Sequence, residues 1–260
     1  MSSIFNSQNV ITIGIIASIL AGTATGLGAI PIFFTRKISN KMLDIMLGFA
    51  AGVMLAATSF SLIVPSIEYG GGGTKGAFIT LFGILLGGIF IDITDKYLPH
   101  VHLLDNRKEG ISSSFSKIWL FIIAITIHNF PEGLAVGVGF GDGNINDGII
   151  LALGIGLQNI PEGLAVALAL FREKYSKSKA FFIALLTGLV EPIGGLVGVL
   201  LVQIAKPILP LALAFAAGAM LFVISDEIIP ETHRNGFERL ATYGVLIGFV
   251  VMMFLDVTLG

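Results

Sequence analysis

Residues 116–140 read SKIWLFIIAITIHNFPEGLAVGVGF, and residues 147–171 read DGIILALGIGLQNIPEGLAVALALF. Each run is long enough to cross the roughly 30 Å hydrocarbon layer of a bilayer as a helix, which takes about 20 residues. Each nevertheless carries a short polar cassette ending in a glutamate near its middle. A carboxylate at membrane depth is costly and normally faces a bundle interior or a wet cavity. The two runs therefore read as helices of one bundle that turn their polar residues inward.

Further apolar runs lie outward from this pair, near 8–34, 42–67, 77–98, 180–205, 208–230 and 238–259, separated by polar or Gly-rich turns. The composition agrees with a membrane solvent. Apolar residues make up 55% of the chain and charged residues only 12%, and the mean hydropathy is +0.92, whereas soluble domains are about one quarter charged. The 33 glycines suit membrane helices, where small residues let backbones approach closely. The expected fold is an all-α, polytopic membrane protein with about eight transmembrane helices, forming one transmembrane domain over residues 1–260. The first run continues through Gly26, Gly28 and Pro31 without a small-residue cleavage pattern, so it reads as a retained helix rather than a signal peptide. The longest connection, roughly 99–115, contains His100, His102, Arg107 and Lys108.

Charge placement gives an orientation. With the amino terminus outside, the inner segments hold thirteen of the 15 lysines and arginines, and the outer segments hold only Lys75 and Lys206. That positive-inside bias places both termini on the extracytoplasmic side of the cell membrane. An odd number of spans would destroy the alternation. A net charge of −2 argues against a nucleic-acid partner, which needs a clustered basic excess. The absence of cysteine excludes disulfides, thiolate ligands and a cysteine nucleophile.

The chemistry lies in the repeated cassette. His-Asn-Phe-Pro-Glu-Gly-Leu-Ala-Val at 128–136 returns as Gln-Asn-Ile-Pro-Glu-Gly-Leu-Ala-Val at 158–166. On a helix His128, Asn129 and Glu132 share one face, because residues three and four apart are neighbours. Gln158, Asn159 and Glu162 repeat the arrangement. Pro131 and Pro161 have no amide hydrogen, so the carbonyls of Ile127 and Leu157 lose their helical partners and become available as further oxygen ligands. The sixth run repeats the device as Glu191-Pro192-Ile193-Gly194-Gly195, which would release the carbonyl of Gly188. Glu191 thus adds a third buried carboxylate. Three carboxylates, one imidazole and three carboxamides exceed the needs of one tetrahedral ion, which suggests two adjacent metals bridged by glutamates.

These elements resemble the ZIP (Zrt-/Irt-like) family of zinc and iron transporters, especially its bacterial and archaeal branch. The paired cassettes, Glu-Pro-Ile-Gly-Gly at 191–195, and Asp226-Glu227-Ile-Ile-Pro230-Glu231 in the seventh run match that family in order and spacing over nearly the whole chain. The resemblance implies eight helices, extracytoplasmic termini and a binuclear metal centre between the fourth and fifth helices. By the family pattern His128, Glu132, Gln158 and Glu162 form a first site, and Asn129, Asn159 and Glu191 form a second that shares Glu132 and Glu162. Gln158 stands where many members carry histidine.

Each residue also has a plainer reading. A buried histidine is ordinarily a hydrogen-bonded core residue, but His128 lies one turn from Glu132 in a repeated cassette. Glu191 could pair with a buried base, yet nearby spans offer no lysine or arginine at membrane depth. Asp226, Glu227 and Glu231 read equally as a metal exit or as a solvated helix end. His100, His102 and His233 read first as ordinary loop histidines, Asp92 and Asp95 either flank an inner opening or pair with Lys96, and Ser59, Ser61 and Ser66 either line an entry or bond back to their own helix.

The expected function is transport of divalent transition-metal cations toward the cytoplasm, with zinc foremost and iron, manganese, cobalt and cadmium as further cargo. Hard oxygens with one imidazole suit these ions. The expected partners are divalent metal ions and the lipid bilayer, and a homodimer is one assembly open to the chain. No resident cofactor and no enzymatic activity are expected. The competing classes are an intramembrane metalloenzyme, disfavoured by the absence of a His-Glu-x-x-His element, and a metal-binding membrane sensor.

Overall fold

The structure is a computed structural model that describes residues 2–34, 38–97, 100–101, 108–109, 117–141, 143–233 and 236–259. Among the described residues, eight helical stretches are long and apolar enough to cross a membrane: Asn9–Phe34, Asn40–Tyr69, Gly73–Thr94, Ile118–Gly139, Ile145–Arg172, Lys177–Ile204, Lys206–Thr232 and Glu238–Leu259. The expected runs thus recur with bounds shifted by a few residues. Several spans are composite. The first joins α1 (Ser2–Ala29) to the short α2 (Pro31–Phe34), and the second joins α3 (Asn40–Ala56) through a π-helical segment at Ala57–Ile63 to α4 (Val64–Tyr69). The third to fifth are α5 (Gly73–Tyr97), α6 (Lys117–Gly139) and α7 (Ile145–Arg172). Between α5 and α6, His100–Val101 (β1) pairs antiparallel with Lys108–Glu109 (β2).

The sixth span is broken into α8 (Lys177–Gly188) and α9 (Glu191–Ile204). The seventh runs from a 3-10 turn at Lys206–Ile208 through α10 (Leu209–Val223), a π-helical segment at Ile224–Ile228, and α11 (Ile229–Thr232). The eighth is α12 (Glu238–Leu259). Side-chain caps start three of these helices. Ser39 Oγ accepts from Met42 N (3.2 Å), Asn144 Oδ1 from Asn146 N (3.2 Å) and Ser176 Oγ from Lys179 N (3.3 Å), satisfying amides that have no partner in a first turn.

The main pairings are α1 with α7, α6 with α9, α3 with α12 and α5 with α10. Exchanging the first span with the sixth, the second with the seventh, the third with the eighth and the fourth with the fifth maps these pairings onto one another. The same exchange relates the two π-helical segments and the two cassettes. Glycine sets the closeness of two pairs. On α3 and α12, a Cβ at Gly52 would collide with the carbonyl of Val245, and one at Gly248 with that of Phe49. On α6 and α9, Gly133 meets the carbonyl of Glu191 and Gly194 that of Phe130. Backbones this close gain van der Waals contact along their length, the main adhesive between helices in lipid. In the second case the packing presses Glu191 against the first cassette.

Candidate metal centre

His128, Asn129 and Glu132 lie half-way along the fourth span, and Gln158, Asn159 and Glu162 lie on the fifth. Glu191 opens α9. None of the seven residues is more than 5% exposed, so all three elements turn their polar residues into the protein. Both cassette prolines remain inside continuous helices. Glu191-Pro192 behaves differently from the expected kink. Helix α8 stops at Gly188, and Pro192 sits in the first turn of a new helix, where its missing amide hydrogen costs nothing. The break places the Glu191 carboxylate at a helix start beside the cassettes.

Two hydrogen bonds tie carboxamides to carboxylates across elements. Gln158 Nε2 donates to Glu132 Oε1 at 2.6 Å, and Asn159 Nδ2 donates to Glu191 Oε1 at 2.6 Å. Asn159 Nδ2 also donates to the carbonyl of Ala21 on α1 at 2.9 Å, so both amide hydrogens are used and Oδ1 is turned the other way. Seven buried atoms here have no hydrogen-bond partner among the described residues: both amide atoms of Asn129, Glu132 Oε2, Gln158 Oε1, Asn159 Oδ1, Glu162 Oε1 and Glu191 Oε2. Six of the seven are oxygens. Buried polar groups are nearly always satisfied, and each orphan costs on the order of 1–3 kcal/mol. Among the described residues no three His, Cys, Asp or Glu side chains converge as a ready-made metal cage. Gln158 and Asn159 occupy oxygens of two carboxylates instead.

The profile of the family described as "ZIP Zinc transporter" matches residues 100–256. The protein named Zinc transporter GufA of Myxococcus xanthus is 49% identical over 251 residues, covering 95% of this chain and 99% of its own. Zinc transporter ZIPB of Bordetella bronchiseptica is 41% identical over 241 residues, covering 91% of this chain and 78% of its own. Human Zinc transporter ZIP11 is 37% identical, covering 91% of this chain and 94% of its own. The chain belongs to the ZIP family. It is a multi-pass membrane protein, and the relatives are named as transporters.

Within this ZIP chain the structure brings to the cassettes a residue that the sequence left open between a metal exit and a solvated helix end. Glu227, on the π-helical segment Ile224–Ile228, brings its Oε1 to 2.6 Å from His128 Nε2. A π-helical turn widens the helix and commonly marks a functional position. The available signal was Pro230, which removes an amide donor just beyond the segment. Pro65 stands in the same relation to Ala57–Ile63. Asp92, Ser225 and Asp226 line a groove of about 560 Å³ between α5 and the seventh span, and Asp92 also pairs with Lys96 at 2.5 Å. At the other end, Ser61, Tyr69, Val138 and Asp147 line a small cleft. There Ser61 Oγ donates to Asp256 Oδ1 at 2.5 Å, so Ser61 reaches across to α12. Ser66 likewise bonds the carbonyl of Pro210 at 2.7 Å, whereas Ser59 bonds back to Leu55 at 2.8 Å. His233 contacts Thr232, Ile229 and Thr242, the ordinary loop reading. His102 lies outside the described residues, and nothing is described of the side chains of Asp95 and His100.

Proposed function

We propose that this chain carries zinc and related divalent cations across the cell membrane toward the cytoplasm through the centre formed by the two cassettes and Glu191. The observation that carries the reading is the set of buried polar atoms without partners, mostly oxygens, gathered from three spans. Oxygens of this kind at membrane depth are satisfied by a desolvated cation. His128, Glu132, Gln158 and Glu162 form one site, and Asn129, Asn159 and Glu191 form a second that shares the two cassette glutamates. Of the four positive charges that two divalent ions bring, the three carboxylates Glu132, Glu162 and Glu191 offset three.

The path follows from what lies above and below. The cleft with Ser61, Asp147 and Asp256 at its mouth reaches Val138, which is six residues or about 9 Å along α6 from Glu132. On the other side His128 hands the ion to Glu227, and from there to the groove with Asp92 and Asp226. Acidic groups at both mouths concentrate cations. The charge bias places the Asp147 side outside and the Arg172 side in the cytoplasm.

The transporter names of the relatives support a carrier over an intramembrane metalloenzyme or a sensor. The three readings separate in sealed proteoliposomes. A carrier accumulates radioactive zinc in the lumen, releases it to a zinc ionophore, and shows competition by manganese, iron(II), cobalt and cadmium. Zinc that stays bound to the protein and ignores the ionophore would support a sensor.

A further inference from the structure

Charge is segregated on the Arg172 side of the bundle. The acidic groove with Asp92 and Asp226 lies between α5 and the seventh span. Elsewhere on this side, the end of α7, the turn before α8 and the start of α3 present Arg172, Lys174, Lys177, Lys179 and Lys41, all exposed or partly exposed. Glu173 is the exposed carboxylate among them, and Asp44, one turn into α3, is fully buried.

Two of the cations hold the corner together. Arg172 Nη2 donates to Asn40 Oδ1 at 2.8 Å, and Lys177 Nζ donates to the carbonyl of Phe33 at 3.0 Å while lying 5.9 Å from the Phe171 ring. These contacts gather the ends of α2, α7 and α8 with the start of α3. An apolar wall adjoins the rim. The Phe33 ring is 5.7 Å from Phe181, and Phe181 is 5.4 Å from Phe182. Phe34 is 85% exposed, Phe182 60% and Leu186 62%.

A divalent cation is repelled by this rim, so the corner is not part of the cargo path. A soluble anion would satisfy the lysines and leave the phenylalanines unused. An amphiphile with an anionic head and apolar chains uses both, and the end of a transmembrane span is where such molecules lie. We propose that this corner is a binding site for anionic phospholipid. The headgroup phosphate sits against Lys174, Lys177 and Lys179, and the acyl chains run along Phe34, Phe182 and Leu186. The occupied corner fixes the ends of α2 and α8 at the membrane surface.

The chain has one tryptophan, which makes a reporter simple to build. In a Trp119→Phe background, Phe34→Trp places indole on the wall, and Phe78→Trp on the lipid-exposed α5 near the Asp147 side serves as the control. Proteoliposomes of phosphatidylcholine containing either brominated phosphatidylglycerol or brominated phosphatidylcholine give the relative affinities from quenching. At Phe34→Trp the anionic lipid is preferred by about five-fold or more, the ratio that one engaged cation supplies. The preference falls toward unity in Lys174→Gln/Lys177→Gln/Lys179→Gln and, with the lysines intact, at high salt. Phe78→Trp shows none. The triple variant keeps wild-type zinc uptake in pure phosphatidylcholine, which establishes that it is folded. Equal quenching by the two lipids at Phe34→Trp, or a preference that survives both the substitutions and salt, would overturn the proposal.

Discussion

Asn159 shows how much a single side chain decides in this centre. Its two amide hydrogens go to Ala21 O and Glu191 Oε1, so the usually isosteric change Asn159→Asp sets an oxygen against two acceptors. We expect that variant to lose zinc affinity by at least about ten-fold, since a charge facing buried acceptors costs more than the 1–3 kcal/mol of one orphaned group. Asn159→Ser, which keeps one donor, should lose less. Equilibrium zinc binding to purified protein orders the two, and the reverse order would contradict the assigned amide orientation. In the proposed first site Gln158 would supply a neutral oxygen where an imidazole would favour zinc over manganese by the divalent affinity order. Gln158→His should therefore raise the zinc-to-manganese uptake ratio. An unchanged ratio would remove Gln158 from the first site. The burial of all seven expected residues was legible because glutamate, histidine and carboxamides are conspicuous in apolar spans and the cassette repeats. The contact of Glu227 with His128 was not, because a carboxylate near a span's end reads equally as a metal exit or as solvated, and only the π-helical turn at Ile224–Ile228 brings it to His128.

At the scale of elements, span number and approximate bounds could be read from hydropathy, while interruptions within spans could not. The motif at Glu191-Pro192 resembles Pro131-Glu132 and Pro161-Glu162 in composition, yet the first breaks a helix and the others do not. The Gly188 carbonyl is held against Gly22 of α1 where α8 ends, but the Ile160 carbonyl is held as closely against Gly28 of α1 within the continuous α7, and hydropathy does not distinguish the two places. The glycine contacts carry a prediction of their own. Gly52→Val drives a branched side chain into the backbone of α12 at Val245, and overpacking of this kind costs about 1–3 kcal/mol. It should lower the unfolding temperature in detergent by several degrees. Leu246→Val, on the exposed face of α12 at 55% exposure, should change it little. Equal melting of the two variants would mean that α3 and α12 are not in this contact.

For the whole molecule, the distribution of charge ties orientation to direction of transport. The chain has no cysteine, so single cysteines report accessibility without background. Ser176→Cys, in the turn between α7 and α8, should resist an impermeant thiol reagent in intact cells, and Asn146→Cys, at the start of α7, should label. The opposite pattern would invert the path and make the groove with Asp92 and Asp226 an entrance. The claim on which everything else rests is that cargo passes between Glu132 and Glu162. Removing one charged partner of a buried electrostatic pair costs about 3–5 kcal/mol, enough to weaken ion binding by roughly a hundred-fold or more. The most direct test measures zinc stoichiometry and zinc uptake together for the wild type and Glu162→Gln in sealed proteoliposomes. The account predicts about two ions per wild-type chain, loss of both in Glu162→Gln, and uptake no greater than in empty liposomes. Wild-type stoichiometry and wild-type uptake in Glu162→Gln would contradict it.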